Sequence, residues 1–152
     1  MTFTRSVNEF SHVGLIGGGS GITPLYQVLT SALRDPNNTT KFTLLFGNVS
    51  EKDILLKEEL DRLKKKYPHN FDVVYFVDKS DASGVAKEGY ITKDVISKYF
   101  DSSLGERIKI FVCGEISPSS KICLSLYSYS RRSPSSNKGD QWPEERVQSR
   151  RA

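Results

Sequence analysis

Gly17-Gly18-Gly19-Ser20-Gly21 interrupts the chain between an apolar run, His12 to Ile16 (HVGLI), and a second apolar stretch that opens with Thr23-Pro24-Leu25. Glycine gives up more backbone freedom than any other residue in a regular element, so such a cluster belongs where the chain turns sharply or where its backbone must come close to something else. HVGLI reads as a strand. On the other side, Thr23 offers a capping hydroxyl and Pro24 suits a first helical position, while Leu25, Val28, Leu29, Ala32 and Leu33 recur at helical spacing until Asp35-Pro36 stops them. The glycines are therefore expected to form the turn of a strand–turn–helix unit whose helix begins at Thr23-Pro24. Backbone N–H groups and the helix dipole in such a turn can hold a phosphate; a tight turn without a ligand is the alternative for a glycine run in general, and the direct lead into a capped helix after a strand favours the phosphate here.

The alternation continues through residue 113. Lys41 to Phe46 (KFTLLF) is a second strand, and Ser50-Glu51-Lys52-Asp53 has the form of a capping box ahead of a helix striped by Leu56, Leu60, Leu63 and Tyr67. Phe71 to Val77 (FDVVYFV) is a third strand ending at Asp78, followed by a polar surface loop from Lys79 to Gly89. Thr92 can cap a short helix carrying Val95, Ile96, Tyr99 and Phe100, and Ile108 to Cys113 (IKIFVC) is a fourth strand closed by Gly114. Strands alternating with helices predict an α/β fold: a three-layer, doubly wound parallel sheet of four or five strands with helices on both faces.

Composition bounds the rest. At 152 residues, 37% hydrophobic and 26% charged, the chain is sized for one domain. It contains no transmembrane-length apolar run and no secretory-type start. Cys113 and Cys123 cannot build a disulfide framework and no Cys/His set has zinc-ligand spacing, so reduced thiols in a reducing compartment, with no metal, are expected, in a cytoplasmic protein or in a mitochondrial one if an upstream exon supplies targeting. Lys64-Lys65-Lys66 suits the dipole at a helix C-terminus and reads as a solvated end.

After Gly114 the texture changes. Residues 115–152 hold 10 serines and carry 7 basic against 4 acidic side chains, most of the net charge of +4. This stretch is expected to be a largely disordered, flexible C-terminal tail. Lys121 to Leu126 (KICLSL) is the one part able to pack, as an added strand or a short helix. Tyr127 and Tyr129 beside Arg131-Arg132 lack any folded RNA-binding motif around them, and no nucleic-acid partner is expected.

Two familiar phosphate loops fail on spacing. No lysine follows Gly21 as a P-loop requires, and the dinucleotide fingerprint counted from Gly17 would need glycine where Ile22 stands, with an acidic residue closing the second strand where Phe46-Gly47-Asn48 occurs. A different pattern does fit. Asn8-Glu9-Phe10, Gly14-Leu15-Ile16, the run Gly17 to Gln27, Gly47 to Leu56 and Ile110-Phe111-Val112-Cys113-Gly114 together resemble the nicotinamide-binding half of the ferredoxin-reductase-like flavoenzymes, and within them the NADH-cytochrome b5 reductases of fungal type. The resemblance covers residues 8–114.

What it implies is specific. In that family NADH passes hydride to FAD held by a preceding β-barrel, and the flavin then reduces cytochrome b5 or a similar haem protein. Carried onto this chain, Gly19, Ser20 and Gly21 would line the pyrophosphate, with Gly18 and Gly114 as further cofactor-binding residues. Thr23 would sit where flavin and nicotinamide meet. Asp78 matches the acidic position that favours NADH by accepting from a ribose hydroxyl and repelling a 2′-phosphate, and Cys113 matches the cysteine close to the nicotinamide. Read from the residues alone, Asp78 is equally a solvated strand-end carboxylate and Cys113 a small buried hydrophobe. Neither His12 nor His69 is placed to activate a thiolate, so covalent catalysis is not expected.

The resemblance also implies departures. No arginine–tyrosine flavin motif precedes the first strand, and Glu115-Ile116-Ser117-Pro118 replaces the family's proline-rich turn and later helix and strand. Residues 1–11 are expected to be a remnant of the linker from a flavin domain, 12–114 the NADH-binding domain, and 115–152 the atypical tail, as in a truncated or frame-shifted product. FAD is not expected to bind stably, and the chain alone is expected to be inactive. The alternative is a non-catalytic nucleotide-binding or vestigial α/β fragment.

Overall fold

A computed structural model of the chain describes residues 10–80, 84–100, 107–117 and 120–127. The first strand, β1 (His12–Gly18), is buried along its whole length. That is the consequence of a near-continuous apolar run with hydrogen-bonded neighbours on both edges and side chains covered on both faces. Its neighbours are β2 (Lys41–Asn48) and β5 (Ile108–Ser117), both parallel to it, and the sheet continues outward through β3 (Phe71–Val77) to a two-residue β4 (Lys87–Glu88). A final strand, β6 (Ser120–Tyr127), lies antiparallel to β5, giving the order β4-β3-β2-β1-β5-β6. Five strands are thus parallel, and their carboxyl ends share one edge of the sheet.

Period-2 alternation divides the apolar side chains between two layers. On one face Val13, Leu15, Leu44, Phe46, Val73 and Tyr75 meet α1 (Ile22–Leu33) through Leu25 and Leu29, and α2 (Lys57–Lys66) through Leu60. On the other, Ile16, Leu45, Phe76 and Val112 are covered by α3 (Lys93–Tyr99) and the adjoining Ile91 and Phe100. Gly14 is where this second layer comes closest: a Cβ there would lie 2.7 Å from the Phe100 ring. His12 closes the same region, its Nε2 2.9 Å from Thr43 Oγ1 and its ring 5.6 Å from that of Phe100. Burial, and then the charge of Lys41, hold its imidazole below the ordinary value of 6.5.

The expected three-layer α/β fold is present, with several elements placed differently. Helix α1 starts at Ile22, not at Thr23-Pro24. Gly19–Gly21 forms a 3-10 turn that runs straight into it, the Ile22 N–H donating to Gly19 and Ser20 carbonyls, so Thr23 is already helical and caps nothing. The Ser50 box does not open α2 either. Ser50 Oγ meets Asp53 Oδ2 at 2.6 Å and a 3-10 turn spans Glu51–Asp53, but burial of Ile54 pulls the backbone out to an extended conformation. The helix then starts only after Leu56, which takes a left-handed φ of 55°.

Part of the Lys79–Gly89 surface loop pairs as β4, with Lys87 opposite Phe76 and Glu88 opposite Val77. Order also continues past Gly114: β5 runs to Ser117, and the Lys121–Leu126 segment is the added strand of the two forms open to it, inside β6. The remainder of the expected tail, like residues 1–9, lies outside the described residues. Thr92, by contrast, caps α3 as its sequence implies, accepting from the Val95 N–H at 3.4 Å.

Candidate functional site

Strand register brings the glycine-rich segments together. Gly18 at the end of β1 lies opposite Gly47 of β2 on one side and Gly114 of β5 on the other, and the Gly19–Gly21 turn touches all three strands. The turn feeds α1 with no side-chain cap and no acidic residue in the helix's first turn, which leaves the positive end of the dipole to be met by something else. Ser20 and Thr23 are exposed on this edge.

The glycines there do different things. Gly21 has an ordinary helical φ of −62°, but a Cβ on it would collide with the Cys113 carbonyl and stand 2.6 Å from the Gly114 nitrogen. Gly114 has φ 95°, and its Cβ would fall on the Gly18 carbonyl. It also lies at a register shift between β5 and β6, where a left-handed glycine accommodates a bulge. Gly19 differs from both: at φ 50° a side chain would meet nothing within 4 Å. Gly21 and Gly114 are thus glycine because chain packs against chain, whereas Gly19 leaves free space at the mouth of the turn. This alters the expected role of Gly21, whose missing side chain makes room for β5.

Cys113 is a free thiol in the core layer beneath α1, in register with Gly17, and its carbonyl lies behind Gly21. The residues expected around a pyrophosphate and a nicotinamide, Gly18, Gly19, Ser20, Gly21, Thr23, Cys113 and Gly114, therefore share the carboxyl ends of β1 and β5. Asp78 is exposed one residue beyond β3, two strands from β1, or about 10 Å at normal strand spacing.

Three features, two of them at this edge, have no signal in the sequence. Ser80, just past Asp78, places its hydroxyl 3.3 Å from Glu51 Oε1 and its backbone N–H 3.4 Å from Glu88 Oε2, so carboxylates from the 3-10 turn after β2 and from β4 gather beside the end of β3. Between Asp78 and the glycine turn stands Asn48, the last residue of β2, whose Nδ2 is buried with no hydrogen-bond partner. Finally, a cavity of about 370 Å³ lies away from the edge, between α2, β3 and β4, lined by Lys57, Asp61, Lys64, Tyr75, Val85 and Lys87. Lys57 and Lys64 in it are engaged by Asp61 and Asp72 at 2.6 and 2.7 Å. Among the described residues no group of His, Cys, Asp and Glu could hold a metal ion, and no helix is long and apolar enough to cross a membrane.

A parallel sheet with a glycine turn at the start of an uncapped helix, and a carboxylate two strands away at the same edge, defines a dinucleotide-binding α/β domain. Residues 15–119 match the family described as the oxidoreductase NAD-binding domain, and the chain belongs to that family. It is 46% identical over 107 residues to NADH-cytochrome b5 reductase 2 of Coccidioides immitis, covering 70% of this chain and 33% of that protein, and equally so to its namesake in Aspergillus fumigatus. The chain thus spans about a third of the length of these relatives. Among solved structures, the cytochrome b5 reductase domain of Ulva prolifera nitrate reductase superposes with a TM-score of 0.63 at 30% identity, over 70% of this chain and 40% of that one. The CS-b5R domains of human Ncb5or, in an NAD+ form, superpose at 0.62 and 26%, over 71% of this chain and 30% of the other. The resemblance to the b5 reductases seen in the sequence holds over the folded region.

Proposed function

We propose that this chain is the NADH-binding part of a flavin-dependent reductase that delivers electrons to cytochrome b5 or a similar haem protein. The observation that carries the reading is the open side of Gly19 at the mouth of an uncapped helix, inside residues that match NAD-binding oxidoreductases. The chemistry of such an assembly is hydride donation from a dihydronicotinamide ring to FAD. This chain's part is to bind and orient. The Gly18–Gly21 backbone presents N–H groups to the pyrophosphate, Asp78 accepts from the adenosine ribose, and Thr23 and Gly114 flank the nicotinamide end. Cys113, buried beneath them, sets the shape of that end through its packing and takes no covalent part.

Support for the acceptor comes from the relatives named NADH-cytochrome b5 reductase, and support for NADH over NADPH from the carboxylates at the β3 end. A cytoplasmic location accords with this chemistry. Calorimetric titration of the purified chain with NADH, NADPH and FAD tests the proposal. Saturable NADH binding, tighter than NADPH, is expected, with no stoichiometric flavin in the absorbance spectrum. Failure to bind NADH would refute the reading. A yellow protein with bound FAD would move the flavin site onto this chain.

A further inference from the structure

Asn48 Nδ2 is the one side-chain nitrogen or oxygen among the described residues that is both buried and without a hydrogen-bond partner. A buried donor left unpaired costs stability in an ordinary core, and an apolar residue such as leucine at this strand end would avoid that cost. Its position says what the donor can serve. Asn48 ends β2, which lies between β1 and β3, in register with Val77 immediately before Asp78 and following Gly47, which is opposite Gly18. Alternation along β2 puts Leu44, Phe46 and then Asn48 on the face covered by α1, the face on which the glycine turn enters its helix. A group stretched from Gly19 to Asp78 must cross the end of β2. Cys113 and Gly114 lie on the opposite side of β1.

We infer that Asn48 is a binding residue for the adenosine diphosphate half of the dinucleotide, its amide donating to a phosphate or ribose oxygen between the glycine turn and Asp78. The inference rests on the NADH-binding reading above and adds a contact to it. Binding supplies the acceptor that folding leaves missing, so affinity and stability should respond to Asn48 in opposite directions. Loss of a packing residue would lower both.

The test uses the full chain, with NADH, ADP-ribose and nicotinamide mononucleotide titrated calorimetrically and thermal unfolding followed without ligand. Asn48→Leu, with the same branching and no donor, is expected to unfold at the same temperature as the wild type or higher, and to bind both NADH and ADP-ribose at least tenfold more weakly. Any response to nicotinamide mononucleotide should be unchanged. Asn48→Ser, smaller but still a donor, should retain more of the ADP-ribose affinity than Asn48→Leu. Unchanged ADP-ribose affinity in a folded Asn48→Leu chain overturns the inference while leaving NADH binding intact. So does a loss confined to NADH, or a weakening accompanied by a lower unfolding temperature in both variants. A wild-type chain that binds neither NADH nor ADP-ribose overturns the reading itself, and the assignment of Asn48 with it.

Discussion

Replacing Gly21 by alanine tests the division of labour in the glycine turn. The backbone at Gly21 is helical, with φ −62°, so alanine incurs no conformational penalty there and on propensity alone would stabilise the start of α1. Space opposes it. The added Cβ would stand 2.5 Å from the Cys113 carbonyl carbon and 2.6 Å from the Gly114 nitrogen. These are backbone atoms of a central strand paired on both sides, and no rotamer change can move them. Relief requires α1 and β5 to separate by several tenths of an ångström, in a layer where Leu25 and Leu29 are already fully packed. Overpacking of this kind costs about 1–3 kcal/mol. For a domain of roughly a hundred residues, each kcal/mol moves the midpoint by about 4–8 °C. Gly21→Ala should therefore unfold about 5–20 °C below the wild type, read by far-ultraviolet circular dichroism. Gly19→Asn is the counterpart. Asparagine tolerates a left-handed φ better than other side chains, and nothing lies within 4 Å of the position, so the midpoint should move by only a few degrees. The side chain would occupy the space left for the pyrophosphate, and NADH affinity should fall at least tenfold. An unaltered midpoint in Gly21→Ala would refute the packing argument, and unaltered NADH affinity in folded Gly19→Asn would remove the turn as the binding site.

Because the folded state holds His12 below the ordinary imidazole value, the unfolded chain takes up the proton first as pH falls. The stability associated with neutral His12 is complete above about pH 6.5 and declines below it, down to the folded-state value. Unfolding midpoints measured from pH 8 to pH 5 should fall more steeply for wild type than for His12→Gln; parallel curves would count against it. Tyr75 donates to Asp61 Oδ1 at 2.8 Å, and burial, followed by that carboxylate, pushes its phenol up. Burial would likewise raise Asp61, yet hydrogen bonds from Lys57 and Tyr75 hold it below the ordinary carboxylate range. Tyr75→Phe should cost about 1 kcal/mol at this partly solvated site, a drop of about 4–8 °C in midpoint, and a variant as stable as wild type would show that solvent replaces the bond. At the ligand edge, Asp78→Thr should narrow the NADH/NADPH affinity ratio severalfold by improving NADPH, with Glu51 and Glu88 nearby keeping part of the preference. Calorimetry showing the same ratio in both proteins would exclude Asp78 as the discriminating group.

The layers of the sheet were legible because their signals are local and repeated: HVGLI, KFTLLF, FDVVYFV and IKIFVC each carry the apolar run of a buried parallel strand, and all four are strands. Thr92 was legible for the same reason, since a cap acts within one turn. The misplaced starts of α1 and α2 show where local signals lose. Thr23-Pro24 looks like a helix start, but the glycine turn already has helical geometry. The Ser50 box is overruled by the burial of Ile54, a contact set by the distant sheet. β4 is two residues long and defined entirely by its partner β3, so no periodicity could announce it. In the site, Gly19 and Gly21 look alike in sequence. The left-handed backbone of Gly19 and the approach of Cys113 from the neighbouring strand to Gly21 separate them, and Asn48 is one of many polar residues until the burial of its amide is known.

The same separation bears on whether such a domain binds a nucleotide or only retains the shape of one that did. Gly21 and Gly114 are required by the fold, since any side chain there meets backbone, so their presence says nothing about a ligand. Gly19 and Asn48 are not required in that way. The first keeps a conformation at φ 50° that an asparagine could also adopt, with open space beside it, and the second holds a buried donor that lowers the stability of the empty domain. A chain under no demand but folding gains by replacing Asn48 with an apolar residue, whereas the left-handed φ at Gly19 favours glycine with or without a ligand. The unpartnered Asn48 amide, on the path from the helix start to Asp78, is what favours a working nucleotide site over a vestigial fragment. If Asn48→Leu raised the unfolding temperature and left every nucleotide affinity unchanged, the preference would reverse.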